Sequence, residues 1–518
     1  MKISPRALMM GLSTGLLVAC ASPGNNTDTD LTTTAKIESG LVRGQGAEVK
    51  KFYGIPYAAA PIGDLRWKPP QPANPWTGVR DATSFGDFCV QPQEYPEQRG
   101  GMSEDCLNLN VWTPAKRKNE RLAVIVWIHG GGFAYGSGSH PSYDGEALAR
   151  RGVVVVSLNY RLGLLGFMAH PQLTAESPHR ASGNYGLMDQ TAALKWIQRN
   201  IAAFGGDPAN VTVMGQSAGA HAISTLMTTD LAQGTFQKAI MQSVGVMRPT
   251  MSLKEAEQYG LRFGSDVGSL RKLPATDFVE LLKKQSSSRA LATGRPVSII
   301  NDGYVVKTPD YQAYASGKFA KVPILVGNNE NEGGGATRNW PIKTVADFRG
   351  FVQQSFKGKE QAAWAAYAVP SDDKVPQALA DIFADTEYLF GTRELLAQYQ
   401  KHGLKSYRYV FTRHRNDAAA TAIHGDELQF VFDNLQSPHR GKNRPFNAVD
   451  AAVAKSMANA WAQFAKTGDP NSNNGSAWKT YDVSSQYYME FGASPVLRSG
   501  YSGKGIDFVR DHFDAVRR

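Results

Sequence analysis

A serine framed by glycines, Gly215-Gln216-Ser217-Ala218-Gly219, follows an apolar run at 211–214 that reads as a buried strand. A serine hydroxyl is a poor nucleophile until a base takes its proton, and that base needs an anion to orient it. Between a strand and a helix, G-x-S-x-G makes a turn tight enough to push the serine into the open. Side chains in place of the two glycines would collide there. A helix-compatible stretch, 218–228, follows directly. Ser217 is therefore the candidate nucleophile.

The remaining parts follow the chain order serine, acid, histidine. A strand predicted at 323–326 leads into Gly327-Asn328-Asn329-Glu330-Asn331-Glu332-Gly333, read as a loop that offers Glu330 or Glu332 as the orienting carboxylate. Another strand, 407–411, precedes the loop Ala422-Ile423-His424-Gly425-Asp426-Glu427-Leu428. His424 is the candidate base, with His414 and His402 its rivals among the ten histidines. The tetrahedral oxygen needs donors as well. Ile128-His129-Gly130-Gly131-Gly132-Phe133 follows the run Leu122–Ile128 and matches a loop whose backbone N–H groups can approach an oxyanion unobstructed. Gly131, Gly132 and the N–H of Ala218 make three donors, and losing one typically costs about 10²–10³ in rate. This chemistry needs no metal and no organic cofactor.

Continuous apolar runs at 122–128, 153–158, 211–214, 239–241, 323–326 and 407–411 read as strands buried on both faces. Helical spacing lies between them, as in 187–204, where Gly205-Gly206 ends the pattern. The alternation predicts an α/β fold with one large, mostly parallel sheet covered on both faces, its ligands at the carboxyl ends of the strands. Segments 250–320 and 336–400 are more helical and less regular; they read as insertions that roof the site.

With 42% hydrophobic and 20% charged residues, the 518-residue chain is ordinary for a protein with a large core. A net charge of +10, two less once Lys2 and Arg6 are removed, favours anionic partners only weakly. No basic tract with interleaved aromatics points to nucleic acid, and no phosphate loop or zinc helix occurs.

Lys2 and Arg6 precede an apolar stretch, 7–18, too short to span a bilayer as a stable helix. This is an export-signal pattern, and it closes on Leu17-Val18-Ala19-Cys20, which resembles a bacterial lipobox. The expectation is a signal peptide over 1–19, a lipidated Cys20, a polar tether over 20–35 and a single α/β domain over 36–518. Ala21 and Ser22 in place of an aspartate favour the outer membrane, with a soluble periplasmic or secreted protein as the alternative. Cys89 and Cys106 then remain. In an oxidising compartment their pairing would close a short loop worth roughly 3 kcal/mol; two buried thiols are the alternative.

Together these residues resemble the type-B carboxylesterase/lipase family, the α/β-hydrolase fold of cholinesterases and bacterial para-nitrobenzyl esterases. Family-like motifs include Tyr53-Gly54-Ile55-Pro56-Tyr57-Ala58, Leu65-Arg66-Trp67 and Ser182-Gly183-Asn184-Tyr185-Gly186-Leu187-Met188-Asp189-Gln190. Ser103-Glu104-Asp105-Cys106-Leu107-Asn108-Leu109-Asn110-Val111 and Phe464-Ala465-Lys466-Thr467-Gly468-Asp469-Pro470-Asn471 are two more, although Asn108 stands where the family has an aromatic residue or threonine. The likeness runs from about residue 40 to 491.

The resemblance implies serine-dependent hydrolysis of carboxylic esters through an acyl-enzyme. It selects Glu332, which immediately precedes a glycine, and His424, which lies in H-x-x-E-L. It also implies that Cys89 pairs with Cys106. Residues 301–306 through Glu332, with Ala315-Ser316-Gly317-Lys318-Phe319, look most like bacterial fumonisin-type esterases, without fixing a substrate. One departure matters: Gln216 stands where the family usually has glutamate. That change, and the lack of tryptophan between Cys89 and Cys106, argue against choline esters. Arg413 and Arg415 read as a solvated surface pair, with contact to an acidic acyl group the alternative. A noncatalytic binding homologue would typically lack the nucleophile or base, and both candidates are present. Cleavage of amides, thioesters or polyesters by the same machinery stays open, because the roofing insertions build the pocket walls.

Overall fold

The computed structural model describes residues 30–92, 97–285, 297–414, 421–437, 445–472, 477–501 and 503–513. The expected signal peptide and Cys20 lie outside them. A ten-stranded sheet organises the molecule. In chain order its strands are β1 (Lys50–Pro56), β2 (Asn108–Thr113), β3 (Leu122–Ile128), β4 (Val154–Leu158), β5 (Gly206–Gln216), β6 (Lys238–Gln242), β7 (Ile324–Asn329), β8 (Ser406–Phe411), β9 (Tyr488–Phe491) and β10 (Pro495–Arg498). Across the sheet the order is β10-β9-β8-β7-β6-β5-β3-β4-β2-β1. Every pairing from β9 to β4 is parallel, and the antiparallel pairings lie at the two edges.

The runs are apolar throughout because both faces are buried, and alternate side chains serve different cores. Val124, Val126 and Ile128 of β3 join one cluster, while Ala123, Ile125 and Trp127 join the other. The first face is covered by α1 (Tyr185–Asn200), which contributes Leu187, Leu194 and Ile197, and by α2 (Ala218–Leu226), which contributes Ile223 and Leu226. The second is covered by α3 (Ala448–Thr467), through Val453, Met457, Trp461 and Phe464.

Three boundaries differ from the sequence reading. The helix expected over 187–204 ends at Asn200, and a tight turn, Ile201–Phe204, completes it before Gly205 takes a left-handed φ of 77°. Residues 327–329, expected in a loop, continue β7. Their polarity hid them: Asn328 and Asn329 are buried and register with Val410 and Phe411 of β8. The last residues of the stretch 20–35, expected as a tether, belong to the fold. Leu31 is buried and donates its N–H to the Lys116 carbonyl at 2.8 Å, and Thr34–Ile37 pairs with Gly40–Arg43.

Cys89 and Cys106 form a disulfide. Asn108, the departure noted above, donates its amide to the Asp87 and Cys106 carbonyls at 2.8 and 3.2 Å, tying the bridged loop to β2. Among the described residues, no helix is long and apolar enough to cross a membrane.

Candidate active site

β5 ends at Gln216, and Ser217 turns the chain into α2 with φ 55° and ψ −121°, a conformation L-residues rarely adopt. The two glycines make the turn possible. A Cβ on Gly215 would lie 2.8 Å from the Gly219 carbonyl carbon, and one on Gly219 would lie 2.1 Å from the Ile128 oxygen. The Ser217 N–H donates to the Gln242 carbonyl at the end of β6, 2.9 Å away, and fixes the elbow against its neighbour strand. The Ala218 N–H, first in α2, is one of the donors a helix leaves without an intrahelical acceptor.

Glu332 is buried in the turn after β7. Its Oε1 accepts from the Ser243 hydroxyl and the Asn329 N–H, both at 2.6 Å, and its Oε2 lies 2.5 Å from His424 Nδ1. A carboxylate only accepts, so Nδ1 carries the proton and Nε2 keeps its lone pair. That lone pair faces the Gln216 side-chain amide, which donates to it at 3.0 Å. No Ser217–His424 hydrogen bond is present among the described contacts; the imidazole is tied to the residue immediately before the serine. Tyr388, from the insertion over the site, stacks on the imidazole with centroids 4.9 Å apart.

The glycine loop after β3 lies against the elbow. A Cβ on Gly130 would meet the Gln216 carbonyl oxygen at 2.7 Å and Ser217 Cβ at 3.1 Å. Gly131 has φ 111° and Gly132 φ 61°, and the Gly131 carbonyl accepts from the Ala134 and Tyr135 N–H groups. Neither the Gly131 nor the Gly132 N–H donates to an acceptor among the described residues. His129 props the loop: it bonds the Gly130 carbonyl through Nδ1 at 2.8 Å and stacks on Tyr160. Burial pushes its imidazole down to about 4, so it stays neutral at working pH. Gly132, Ser217 and Ala218 line one pocket, together with Phe133, Arg248 and Tyr388.

A match to the model of the carboxylesterase family spans residues 31–509. The chain belongs to this family. A fumonisin B1 esterase of Sphingopyxis macrogoltabida is 43% identical over 464 residues, covering 88% of this chain and 86% of that protein. A para-nitrobenzyl esterase of Bacillus subtilis is 35% identical over 461 residues, covering 84% and 89%. The crystal structure of Geobacillus stearothermophilus carboxylesterase EST55 superposes with a TM-score of 0.81 at 32% identity, covering 92% of this chain and all of that one. The protein is a serine-dependent carboxylic-ester hydrolase with the α/β-hydrolase fold.

In this carboxylesterase the rival residues go elsewhere. Glu330 and His414 pair with each other at 2.8 Å, both partly exposed, and His402 Nε2 faces the Tyr314 carbonyl. Arg413 is not a free surface cation: it binds Asp450 at 2.7 Å at the start of α3. Arg415 lies outside the described residues. Ser243, Asn329 and Tyr388, which hold Glu332 and His424, carried no motif of their own. Glu427, the glutamate of H-x-x-E-L, is buried beside Glu332, which the motif did not indicate. Glu427 accepts from the amides of Asn329 and Gln242, and burial and the nearby Glu332 push its carboxyl up to about 7.

Gln216 bonds the base directly, which fixes the sign of one substitution. In Gln216→Glu a carboxylate beside Nε2 favours the imidazolium, and an opposite charge at this range typically raises a pKa by about 1–3 units. With His424 as the candidate base, turnover needs its neutral imidazole, so the acid limb of the kcat/KM–pH profile should move to higher pH by about one unit or more. An unmoved limb would show that Gln216 does not touch the base in the working enzyme.

Proposed function

We propose that Ser217 is the nucleophile, His424 the general base and acid, and Glu332 the orienting carboxylate, with the N–H groups of Gly131, Gly132 and Ala218 as the oxyanion hole. Ser217 Oγ attacks the ester carbonyl carbon while its proton passes to His424 Nε2. Glu332 holds Nδ1–H and stabilises the imidazolium. The carbonyl π electrons move onto the oxygen, which rests on the three amides at the mouth of the elbow. Collapse expels the alcohol, which takes its proton from Nε2–H, and leaves the acyl group on Ser217. Water then attacks the acyl carbon, gives a proton to Nε2, and a second collapse frees the acid and restores the serine.

The observation that carries this assignment is His424, held by Glu332 on one ring nitrogen and by the nucleophile's neighbour Gln216 on the other. The protonation pattern it requires is that of a base facing the elbow. Ser217→Ala should fold with an unchanged melting temperature yet lose the burst of 4-nitrophenol from a short-chain 4-nitrophenyl ester. Steady-state turnover should fall by about 10⁴-fold or more, as removal of a triad nucleophile does in related machinery. Near-normal turnover would contradict it.

We further read residues 36–518 as one hydrolase domain, and the chain as an exported lipoprotein cleaved before Cys20. Lys2, Arg6, the apolar stretch after them and Leu17-Val18-Ala19-Cys20 support the export reading. A diacylated cysteine would hold the enzyme at a membrane surface by two chains, enough for stable anchoring. In a bacterial host the wild type should incorporate labelled palmitate and Cys20→Ala should not; equal labelling of both would contradict the lipid anchor.

A further inference from the structure

The loop after β6 brings an arginine to the pocket that also holds Ser217. Arg248 is about nine-tenths buried, and its guanidinium lies across Gly245, where a Cβ would sit 2.1 Å from Nη2. Any side chain at 245 would displace it. The loop itself is anchored by the Met247 N–H, which donates to Asp310 Oδ2 at 2.8 Å. From the other side comes a widened π-type turn, Asp385–Leu389. Its Glu387 is buried and takes Arg248 Nη2 at 2.8 Å on the carboxylate and 2.9 Å on the backbone carbonyl. Its Tyr388 faces the guanidinium with the ring centroid 5.7 Å from Cζ, and it stacks on His424.

These contacts use one end of the guanidinium only. Arg248 Nε is buried without a hydrogen-bond partner, and Nη1 bonds no described residue. Nη1, unbonded and not enclosed as Nε is, is the donor that a ligand in the cleft can take up. Arg248 is held in place by Glu387 through Nη2, and its unbonded Nη1 belongs to a side chain that lines the pocket with Ser217. A guanidinium N–H left over in such a pocket is matched well by a carboxylate oxygen, through a charge-assisted hydrogen bond.

We infer that Arg248 binds a free carboxylate carried by the substrate, so that the enzyme prefers esters with a carboxylate beyond the scissile bond. This rests on Ser217 being the nucleophile, because Arg248 lines that pocket.

The test compares kcat/KM for two matched pairs on the full chain, with spontaneous hydrolysis subtracted. One pair, 4-nitrophenyl hydrogen glutarate and 4-nitrophenyl methyl glutarate, carries or masks the charge on the acyl side. The other, 4-acetoxybenzoate and its methyl ester, carries or masks it on the alcohol side. At least one pair should show a preference of roughly tenfold or more for the anionic member, since a site built to bond a polar group rejects the analogue that lacks it. That ratio should fall to about one in Arg248→Met and be partly kept in Arg248→Lys. Because Arg248→Met removes the ion pair with the buried Glu387, the double variant Arg248→Met/Glu387→Met supplies the same ratio if the single variant folds poorly. A residue that only braced the loop would change both members of a pair equally, and that result overturns the inference. So does a wild type that cleaves the neutral members as well as the anionic ones. No turnover of any ester, with no fluorophosphonate labelling of Ser217, would instead overturn the hydrolytic assignment on which this one stands.

Discussion

The close backbone approach at residues 215–219 is the constraint on which the site depends. Ser217 sits at a φ of 55° only because β5 and α2 pass so near each other that neither Gly215 nor Gly219 has room for a Cβ. The same approach puts the Ala218 N–H beside the serine, and the Ile128 and His129 carbonyls of the neighbouring strand end against Gly219. Nucleophile, helix terminus and glycine loop are thus placed by one contact. Strain of this kind costs of order 1–3 kcal/mol and persists only where surrounding structure over-determines it, as the Ser217–Gln242 bond to β6 does here.

The parallel sheet turns that local constraint into a site. Five adjacent strands each deliver one part at their carboxyl ends, at a spacing of about 4.8 Å between strands. β3 supplies the glycine loop, β5 the serine, β6 Ser243 and Arg248, β7 Glu332, and the loop after β8 His424. Residues more than 200 positions apart therefore meet without any long side chain reaching across the molecule. The polar residues at these ends are bonded to one another: Ser243 to Glu332, Asn329 to both Glu332 and Glu427, and Gln242 to Glu427. This network holds the acid and base where solvent would otherwise compete for them.

How much of this was legible in the sequence follows from what each residue does. The central strands announced themselves because burial on both faces demands unbroken apolar runs. β2 did not: Asn108 and Asn110 are buried in it as hydrogen-bonding residues, Asn110 bridging Gly54 and Ser157, and an apolar-run criterion passes over them. The far end of β7 was missed for the same reason. Ser217 and the glycine loop were readable because backbone geometry there forbids other residue types. Glu332 and His424 could be narrowed by chain order but were separated from Glu330 and His414 only by the family resemblance. Geometry explains why the rivals differ: they bond each other, both partly exposed. Ser243, Tyr388 and Arg248 left no local pattern, because their roles arise from strands and insertions that meet only in three dimensions.

The most direct test of the account is a crystal structure of the enzyme after reaction with a small alkyl fluorophosphonate. The phosphorus should be bonded to Ser217 Oγ, with its charged oxygen about 2.7–3.1 Å from the N–H groups of Gly131, Gly132 and Ala218. His424 Nε2 should have left Gln216 to face the modified serine, still bound to Glu332 through Nδ1. An adduct on another residue, or a phosphonyl oxygen pointing away from these amides, would contradict the placement of the whole site by the elbow.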